Sequence, residues 1–306
     1  MIRFDKEISV YLEYCKFHRK LSNKTIKAYS IDLSQFQLHM AGADDITKTE
    51  ITGYITYLHK SFQPNTAKRK LASLKAFFSY MEFEEILADN PIRRIKTKFQ
   101  EPKVLPRTIP IKVIKKILSA AYKRLEKAST TYGINAAQRD VAIIELLFAT
   151  GMRVSELCSL NSGDVNFDDN SIRIMGKGAK ERVLQICNRE VLAALRQYRK
   201  TFLPQINESG CFFLNRLNLR LTDQSVRFLI QNLCIETGVA LHITPHMFRH
   251  SFATLLLEED VDIRYIQRML GHSSIQTTQI YTQVTAEKQR RILTTKHPRN
   301  KFVFGS

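Results

Sequence analysis

The sequence has few cysteines, and none belongs to a recognisable metal-binding or disulfide motif. The five cysteines are odd in number and widely spaced, and no Cys-x-x-Cys pair occurs. Neither a zinc site nor a disulfide framework is therefore indicated. A glycine-rich phosphate loop is also missing, so nothing points to ATP or NAD. We expect a reduced, cytoplasmic protein that uses no cofactor and no metal.

Long hydrophobic runs are absent as well. No apolar stretch approaches the length of a membrane span, and the N-terminal sequence MIRFDKEISV does not resemble a signal peptide. We therefore expect no membrane partner.

Acidic residues are scarce relative to basic ones. The chain has 29 acidic and 47 basic residues, a formal net charge of +18 and a pI of about 9.8. Residues 1–100 hold 17 basic and 11 acidic residues, which gives +6 and leaves +12 for the remainder. A positive field spread over the whole chain suits a polyanion, with nucleic acid the first choice and an anionic membrane surface the second.

The length and composition favour two domains. A chain of 306 residues with 44% hydrophobic content can form two cores. The segment TKFQEPKVLPRTIP (97–110) has three prolines and no hydrophobic periodicity, which is typical of an extended linker. We assign residues 1–98 to a helical domain, 99–109 to a linker and 110–306 to a second domain.

The first domain contains a basic helix. Ser22 is predicted to cap one helix, and Asn65 is predicted to cap the helix in PNTAKRKLASLKAFFSYM. Lys68, Arg69 and Lys75 lie off the apolar stripe of that second helix. They form either an ordinary solvated face or a surface that follows the phosphates of DNA.

The second domain is predicted to be helical, with one β-hairpin. VAIIELLFAT (141–150) indicates a buried helix that Gly151 stops, and a new helix then carries Arg153 and Glu156. SIRIM and ERVLQI flank GKGAK as a hairpin with Lys177 at its tip. Gly271 closes a later helix, and Ser273-x-x-Gln276 predicts a capping box for a helix that ends near Tyr281.

The stretch HMFRHSFAT (246–254) predicts an amphipathic helix with a cationic face. His246, Arg249 and His250 share that face at spacings i, i+3 and i+4. The opposite face carries Phe248, Phe252 and Leu255. Thr244-Pro245 is a suitable N-cap followed by proline at the first helical position.

Scattered polar residues in the second domain form a set suited to phosphoryl transfer. The set is Arg153, Lys177, His246, Arg249, His272 and Tyr281. Two guanidinium groups can bind one phosphate, a lysine can protonate a leaving oxygen and a tyrosine oxygen can attack phosphorus. Such chemistry needs mainly in-line positioning and charge stabilisation, which this set supplies without a metal.

Each of these residues also has an ordinary interpretation. Arg153 can simply pair with Glu156 on a helix surface, and Lys177 can be a solvated turn lysine. His272 can be only a helix C-cap residue, and Tyr281 can be a half-buried anchor. His250 we interpret as structural, or at most as a support for its neighbours.

The motifs together resemble the phage-integrase family of tyrosine recombinases, and within it the Xer-like group. The matching text is ATGMRVSEL, GKG in the hairpin, HMFRHSFAT, LGHSS and TTQIYT, and SNKTIKAYSIDLSQF resembles the family's helical core-binding domain. The intervals are 24 residues from Arg153 to Lys177, 26 from His246 to His272 and 9 from His272 to Tyr281. The resemblance implies a mainly α fold, in which a helical SAM-like domain precedes an α+β catalytic domain with a small hairpin or sheet.

The resemblance implies a mechanism without ATP or metal. Tyr281 would attack a phosphodiester and form a 3′-phosphotyrosyl intermediate. Arg153 and Arg249 would bind the non-bridging oxygens, and Lys177 would protonate the leaving 5′-oxygen. A 5′-hydroxyl of a partner strand would reverse the step, and two rounds of exchange would pass through a Holliday junction.

The remaining positions would support this reaction. The family assigns proton handling with the tyrosine to His246 and stabilisation of the phosphate to His272. Glu156 would orient Arg153, and His250 would be a supporting residue.

The resemblance also implies partners. The first is double-stranded DNA with specific recombination sites. On this DNA the chain would form a tetramer, either with copies of itself or with a related recombinase. The C-terminal segment ILTTKHPRNKFVFGS would either dock into a neighbouring subunit or be a frayed basic tail. Such a protein is nucleoid-associated, and its role would be chromosome dimer resolution or integration and excision of a mobile element.

Three alternatives remain at the level of sequence. A type IB topoisomerase-like enzyme uses a similar set of residues, although the length and the N-terminal domain favour a recombinase. A non-cutting sequence-specific DNA-binding protein would not need six intact positions. A membrane-surface protein would need an isolated basic amphipathic helix, which is missing.

Overall fold

The computed structural model describes residues 4–41, 46–93, 95, 107–176 and 181–271. The chain divides into two compact units, Met1–Lys103 and Val104–Ser306. Its mainly helical architecture with one small sheet confirms the predicted fold class. No described helix is both long enough and apolar enough to cross a membrane.

The described part of the first unit is formed by four helices around an aromatic core. The helices are α1 (Asp5–Phe17), α2 (Asn23–His39), α3 (Lys48–Ser61) and α4 (Pro64–Phe83). Phe36, Tyr54, Phe77 and Phe78 are fully buried between them. Edge-to-face contacts join these rings, for example Phe36 with Tyr54 at 5.0 Å between ring centroids.

One of the two predicted helix caps in this unit is correct. The Ser22 hydroxyl accepts a hydrogen bond from the backbone N–H of Thr25 at 3.2 Å, so Ser22 caps α2 as predicted. The prediction that Asn65 caps α4 is wrong, because the helix already begins at Pro64 and Gln63 is the N-cap. Proline suits the first helical position because its φ is fixed and it has no N–H that needs a partner.

In its described part, the second unit packs seven α-helices and a sheet around a main core. Its helices are α5 (Ile111–Lys127), α6 (Thr131–Thr150), α7 (Val154–Ser159), α8 (Arg189–Ser209), α9 (Asp223–Glu236), α10 (Pro245–Glu258) and α11 (Ile263–Leu270). A smaller cluster of Ala253, Ile266 and Leu270 lies between α10 and α11. Ile109 is buried in the core of this unit, directly before α5. The predicted linker, residues 99–109, is otherwise largely outside the described residues and stays a prediction.

The stop at Gly151 is confirmed, whereas α6 begins earlier than the apolar run indicated. Thr130 caps α6 by accepting from the backbone N–H of Gly133, so the helix includes ten less apolar residues before Val141. Gly151 ends the helix with φ +59°, and a Cβ there would lie 2.6 Å from a ring carbon of Phe252. Glycine is therefore needed both for the left-handed backbone and for the close approach of α10.

The sheet is antiparallel with the order β1-β2-β3. Its strands are β1 (Val165–Asn166), β2 (Ser171–Met175) and β3 (Glu181–Gln185). The two longer strands confirm the predicted hairpin, with Ile172 opposite Leu184 and Ile174 opposite Arg182. The two-residue β1 was not predicted, because a strand of this length has no hydrophobic period. Lys177, at the predicted tip, lies outside the described residues.

The predicted start of α10 and the predicted end of α11 are confirmed. Thr244 is the N-cap of α10 and Pro245 its first residue. Gly271 closes α11 in the left-handed conformation, with φ +66°. The predicted capping box Ser273-x-x-Gln276, with the helix that would follow it, lies outside the described residues.

Candidate active site

Glu156 is a buried carboxylate in α7 that binds two arginines. Arg153 donates its backbone N–H to Glu156 Oε2 at 2.8 Å and its Nη1–H to Oε1 at 2.7 Å. Arg182, from β3, donates Nη1–H to Oε1 at 3.1 Å and Nη2–H to Oε2 at 2.7 Å. Each carboxylate oxygen therefore accepts one hydrogen bond from each arginine, which stabilises the ionised form.

The electrostatics of Glu156 follow from these contacts. Burial alone would raise the pKa of its carboxyl group. Hydrogen bonds from the Arg182 side chain and from the backbone and side chain of Arg153 outweigh burial and hold the pKa below the usual value for glutamate. Glu156 is therefore a permanent negative charge at neutral pH, and it fixes the positions of both guanidinium groups.

Arg249 is a buried cation held by the ends of two helices. Its Nη1–H donates to the carbonyl of Gly151, at the end of α6, at 3.0 Å, and its Nη2–H donates to the carbonyl of Leu270, at the end of α11, at 2.6 Å. Carbonyls at helix C-termini lack partners within the helix and carry partial negative charge. The structure thus differs from a simple cationic surface, since Arg249 is buried while His246 is exposed and His250 half-buried.

The two histidines of α10 have lowered pKa values. For His246 the largest cause is desolvation by the surrounding protein. The positive charges of Arg227, Arg249 and Arg153 then lower the pKa further. Desolvation also lowers the pKa of His250, followed by the charges of His246 and Arg249. His246 is therefore neutral at physiological pH and can accept a proton.

The structure brings four of the predicted positions into one region of the second unit. Arg249 donates to the carbonyl of Gly151, which lies two residues before Arg153, and Glu156 forms an ion pair with Arg153. The positive charges of Arg153 and Arg249 both lower the pKa of His246. Three further positions lie outside the described residues: Lys177, His272 and Tyr281. Among the described residues, no group of three or more His, Cys, Asp or Glu side chains could hold a metal ion.

Arg182 is a residue of this site that the sequence analysis missed. The strand ERVLQI was interpreted from its apolar residues, yet Val183 faces solvent while Leu184 and Ile186 are buried. The period of two in a strand places Arg182 on the same face as those buried residues. A buried arginine needs an acidic partner, so this periodicity was a signal that could have identified it.

The basic helix α4 carries a second buried carboxylate cluster. Asp32, from α2, accepts hydrogen bonds from Lys70 Nζ at 3.0 Å and from Ser73 Oγ at 2.8 Å, and Arg69 also donates to it. Lys70 is buried, and its position four residues before the buried Leu74 is a signal that could have separated it from its basic neighbours. The side chains predicted to bind DNA, Lys68, Arg69 and Lys75, all belong to exposed residues of this helix.

Comparison with known proteins identifies the family. Residues 107–288 match the phage integrase family, and residues 8–85 match the N-terminal SAM-like domain of phage integrases. A tyrosine recombinase of Agathobacter rectalis is 49% identical over 306 residues, covering 99% of this chain and all of that protein. This chain belongs to the phage integrase family. It is a tyrosine recombinase, an enzyme that transfers DNA strands in site-specific recombination.

Its relatives place the protein in the Xer-like group of the phage integrase family. Tyrosine recombinase XerC of Myxococcus xanthus is 35% identical over 91% of this chain and 93% of its own length. Tyrosine recombinase XerD of Listeria innocua is 33% identical over 95% and 98%. The crystal structure of XerH bound to its DNA substrate superposes with a TM-score of 0.75 at 21% identity, covering 94% of this chain and 84% of XerH, which shows the shared fold.

Proposed function

We propose that this recombinase cuts DNA with Tyr281 and that Arg153 and Arg249 bind the scissile phosphate. The observation that carries the proposal is the convergence of the two arginines on one stretch of backbone. Arg249 is fixed to the carbonyl of Gly151, and Arg153, the N-cap of α7, follows two residues later with about a third of its side chain (35%) exposed. Two guanidinium groups in such fixed positions can neutralise the charge that develops on a phosphate in the transition state.

The covalent step balances without a cofactor. The Tyr281 oxygen attacks phosphorus and forms a 3′-phosphotyrosyl bond, while the bond to the 5′-oxygen breaks. His246, whose lowered pKa keeps it neutral, accepts the proton of the tyrosine hydroxyl. Lys177 supplies a proton to the leaving 5′-oxygen, and His272 donates a hydrogen bond to the phosphate.

Recombination follows when the 5′-hydroxyl of a partner strand attacks the phosphotyrosyl bond. The bond energy is conserved in the covalent intermediate, so rejoining needs no ATP. Recombination takes two successive exchanges: the first forms a Holliday junction, and the second resolves it into recombinant duplexes. The complex is a tetramer on two DNA sites, made of this chain alone or with a related recombinase, and the C-terminal segment docks into a neighbouring subunit. The biological setting is either chromosome dimer resolution or the movement of a mobile element.

The first unit contributes binding energy through contacts with the DNA backbone. Lys68, Arg69 and Lys75 of α4 lie on the exposed side of the helix, and we assign them contacts with phosphates of the DNA backbone. Asp32 fixes the guanidinium of Arg69, which reduces the number of conformations that this side chain loses on binding.

The decisive experiment traps the covalent intermediate. A library of nicked duplexes, in which the strand beyond the cut diffuses away, is incubated with protein in the absence of metal and separated on denaturing gels. We expect a protein–DNA adduct from the wild type and from Tyr265→Phe, an exposed tyrosine of α11. Tyr281→Phe should bind DNA and give no adduct.

Other outcomes identify the alternatives. An adduct from Tyr281→Phe would contradict the assignment of the nucleophile. Relaxation of supercoiled DNA without recombinant products would indicate a topoisomerase-like enzyme. Salt-sensitive DNA binding without any adduct would indicate a DNA-binding protein that does not cut.

A further inference from the structure

We infer that Arg182 is a positioning residue that connects the phosphate-binding Arg153 to the C-terminal end of α11. The inference rests on the proposed function. Arg182 lies on β3, its side chain is only 11% exposed, and the side chain forms a two-pronged ion pair with Glu156. Its remaining nitrogen, Nε, donates to the carbonyl of Met269 in α11 at 2.8 Å. One guanidinium group thus contacts both α7 and α11.

Arg182 determines how Glu156 holds Arg153. Each oxygen of Glu156 accepts from both arginines, so the plane of the carboxylate is fixed by the rigid fork of Arg182. Two arginines and one glutamate leave a net charge of +1. Without Arg182, Arg153 and Glu156 would form a neutral pair, and Arg153 would attract a phosphate less strongly.

The end of α11 is held by two arginines at successive carbonyls. Arg182 binds the carbonyl of Met269, and Arg249, a proposed phosphate ligand, binds that of Leu270. Gly271 leaves room for this arrangement, since a Cβ there would lie 2.9 Å from Nη1 of Arg182. In the sequence, His272 follows Gly271 directly, and Tyr281 follows nine residues after His272.

Lysine cannot replace arginine in this role. An ammonium group keeps the charge but cannot present three N–H donors in one plane to a carboxylate and a carbonyl. Arg182→Lys therefore keeps the positive charge and loses the planar set of donors, whereas Arg182→Met loses both the charge and the donors. Arg173→Met is a matched control, because Arg173 lies on the adjacent strand β2 and pairs with a different buried carboxylate, that of Asp164.

The test measures the single-turnover rate of adduct formation at saturating protein, together with the affinity for DNA. We expect cleavage to slow by about tenfold in Arg182→Lys and about 100-fold in Arg182→Met, since small misplacements of a charged ligand have effects of this size. DNA affinity should change by less than about threefold, because Arg182 contributes no phosphate contact of its own. Arg173→Met should cleave at the wild-type rate.

A second substrate distinguishes positioning from general damage. A neutral methylphosphonate at the scissile position has less charge for Arg153 to neutralise, so the ratio of wild-type to variant rates should fall towards one. An unchanged ratio, or wild-type cleavage by both Arg182 variants, would overturn the inference alone. A wild-type protein that forms no adduct would overturn the proposed function and, with it, this inference.

Discussion

Two buried carboxylates, one in each unit, hold pairs of cations in the same pattern. Asp32 binds Lys70 and Arg69 between α2 and α4, and Glu156 binds Arg182 and Arg153. In each case one cation is largely shielded from solvent, with 3% of the Lys70 side chain and 11% of the Arg182 side chain exposed, whereas the other cation is more exposed. Each pair thus consists of an inner cation that fixes the carboxylate and an outer cation directed towards solvent.

The inner cation is Lys70 in the Asp32 cluster and Arg182 in the Glu156 cluster. This difference matches the number of groups that each cation must bind. Lys70 has a compact charge that contacts Asp32, Gln35 and the ring of Phe62 within a helical unit. Arg182 must satisfy a carboxylate in α7 and a carbonyl in α11 at once, which requires a planar set of donors. A lysine is sufficient to join two helices, whereas orienting Arg153, the proposed phosphate ligand, through contacts among three elements needs an arginine.

Removal of either carboxylate should have the largest effect on stability, and it should show how the two clusters differ in their effect on cleavage. Asp32→Ala leaves Lys70 buried without its carboxylate, and Glu156→Ala does the same to Arg182. We expect each change to cost about 3 kcal/mol in the unit that contains it, the lower end of the range for breaking a buried ion pair. Only Glu156→Ala should also abolish cleavage by bound protein. Hydrogen exchange in α2 and α4 compared with α7 and β3 would locate the loss.

Equal effects on catalysis would contradict this division of roles. If Asp32→Ala slowed adduct formation at saturating protein as much as Glu156→Ala, the two clusters would not have separate functions. The single-turnover assay measures this directly, because saturation removes the contribution of weaker DNA binding.

The same contrast shows what the sequence could predict. Local signals were sufficient for the cap at Ser22, the stops at Gly151 and Gly271 and the hairpin, because each depends on residues within a few positions. The contact of Arg153 with Glu156 also spans three residues. The inner cations were missed because their partners are distant in sequence, 38 residues for Lys70 and 26 for Arg182. Helix and strand periodicity can place Lys70 and Arg182 on shielded faces, but periodicity does not identify the carboxylate that each of them binds.

Substitution of Arg69, the outer cation of the Asp32 cluster, should have an effect of intermediate size on DNA binding. Arg69→Ala should weaken DNA binding by about three- to tenfold at all sequences and reduce the salt dependence by about one phosphate contact. Arg93→Ala is the control, because Arg93 is also an exposed arginine in an ion pair, with Glu82. Titrations at several salt concentrations would measure both. An unchanged salt slope in Arg69→Ala would show that Arg69 serves only Asp32.

The smallest effect is a pH dependence with opposite signs at two buried glutamates. The pKa of Glu156 is lowered by its arginines, so its contribution to stability is present above the ordinary value of 4.5 and is lost as the pH falls through the folded value. Burial, opposed by a hydrogen bond from Tyr122, leaves the pKa of Glu145 raised above 4.5. Glu145 therefore favours folding at low pH, and this contribution is lost as the pH rises.

Glutamine variants should reveal both signs in urea titrations between pH 3 and pH 7. The free energy of unfolding of wild type minus that of Glu156→Gln should increase with pH and level off above the ordinary glutamate pKa. The same difference for Glu145→Gln should decrease with pH, because the wild type must ionise a buried group that the variant lacks. Two parallel curves would mean that Arg153 and Arg182 do not outweigh the burial of Glu156.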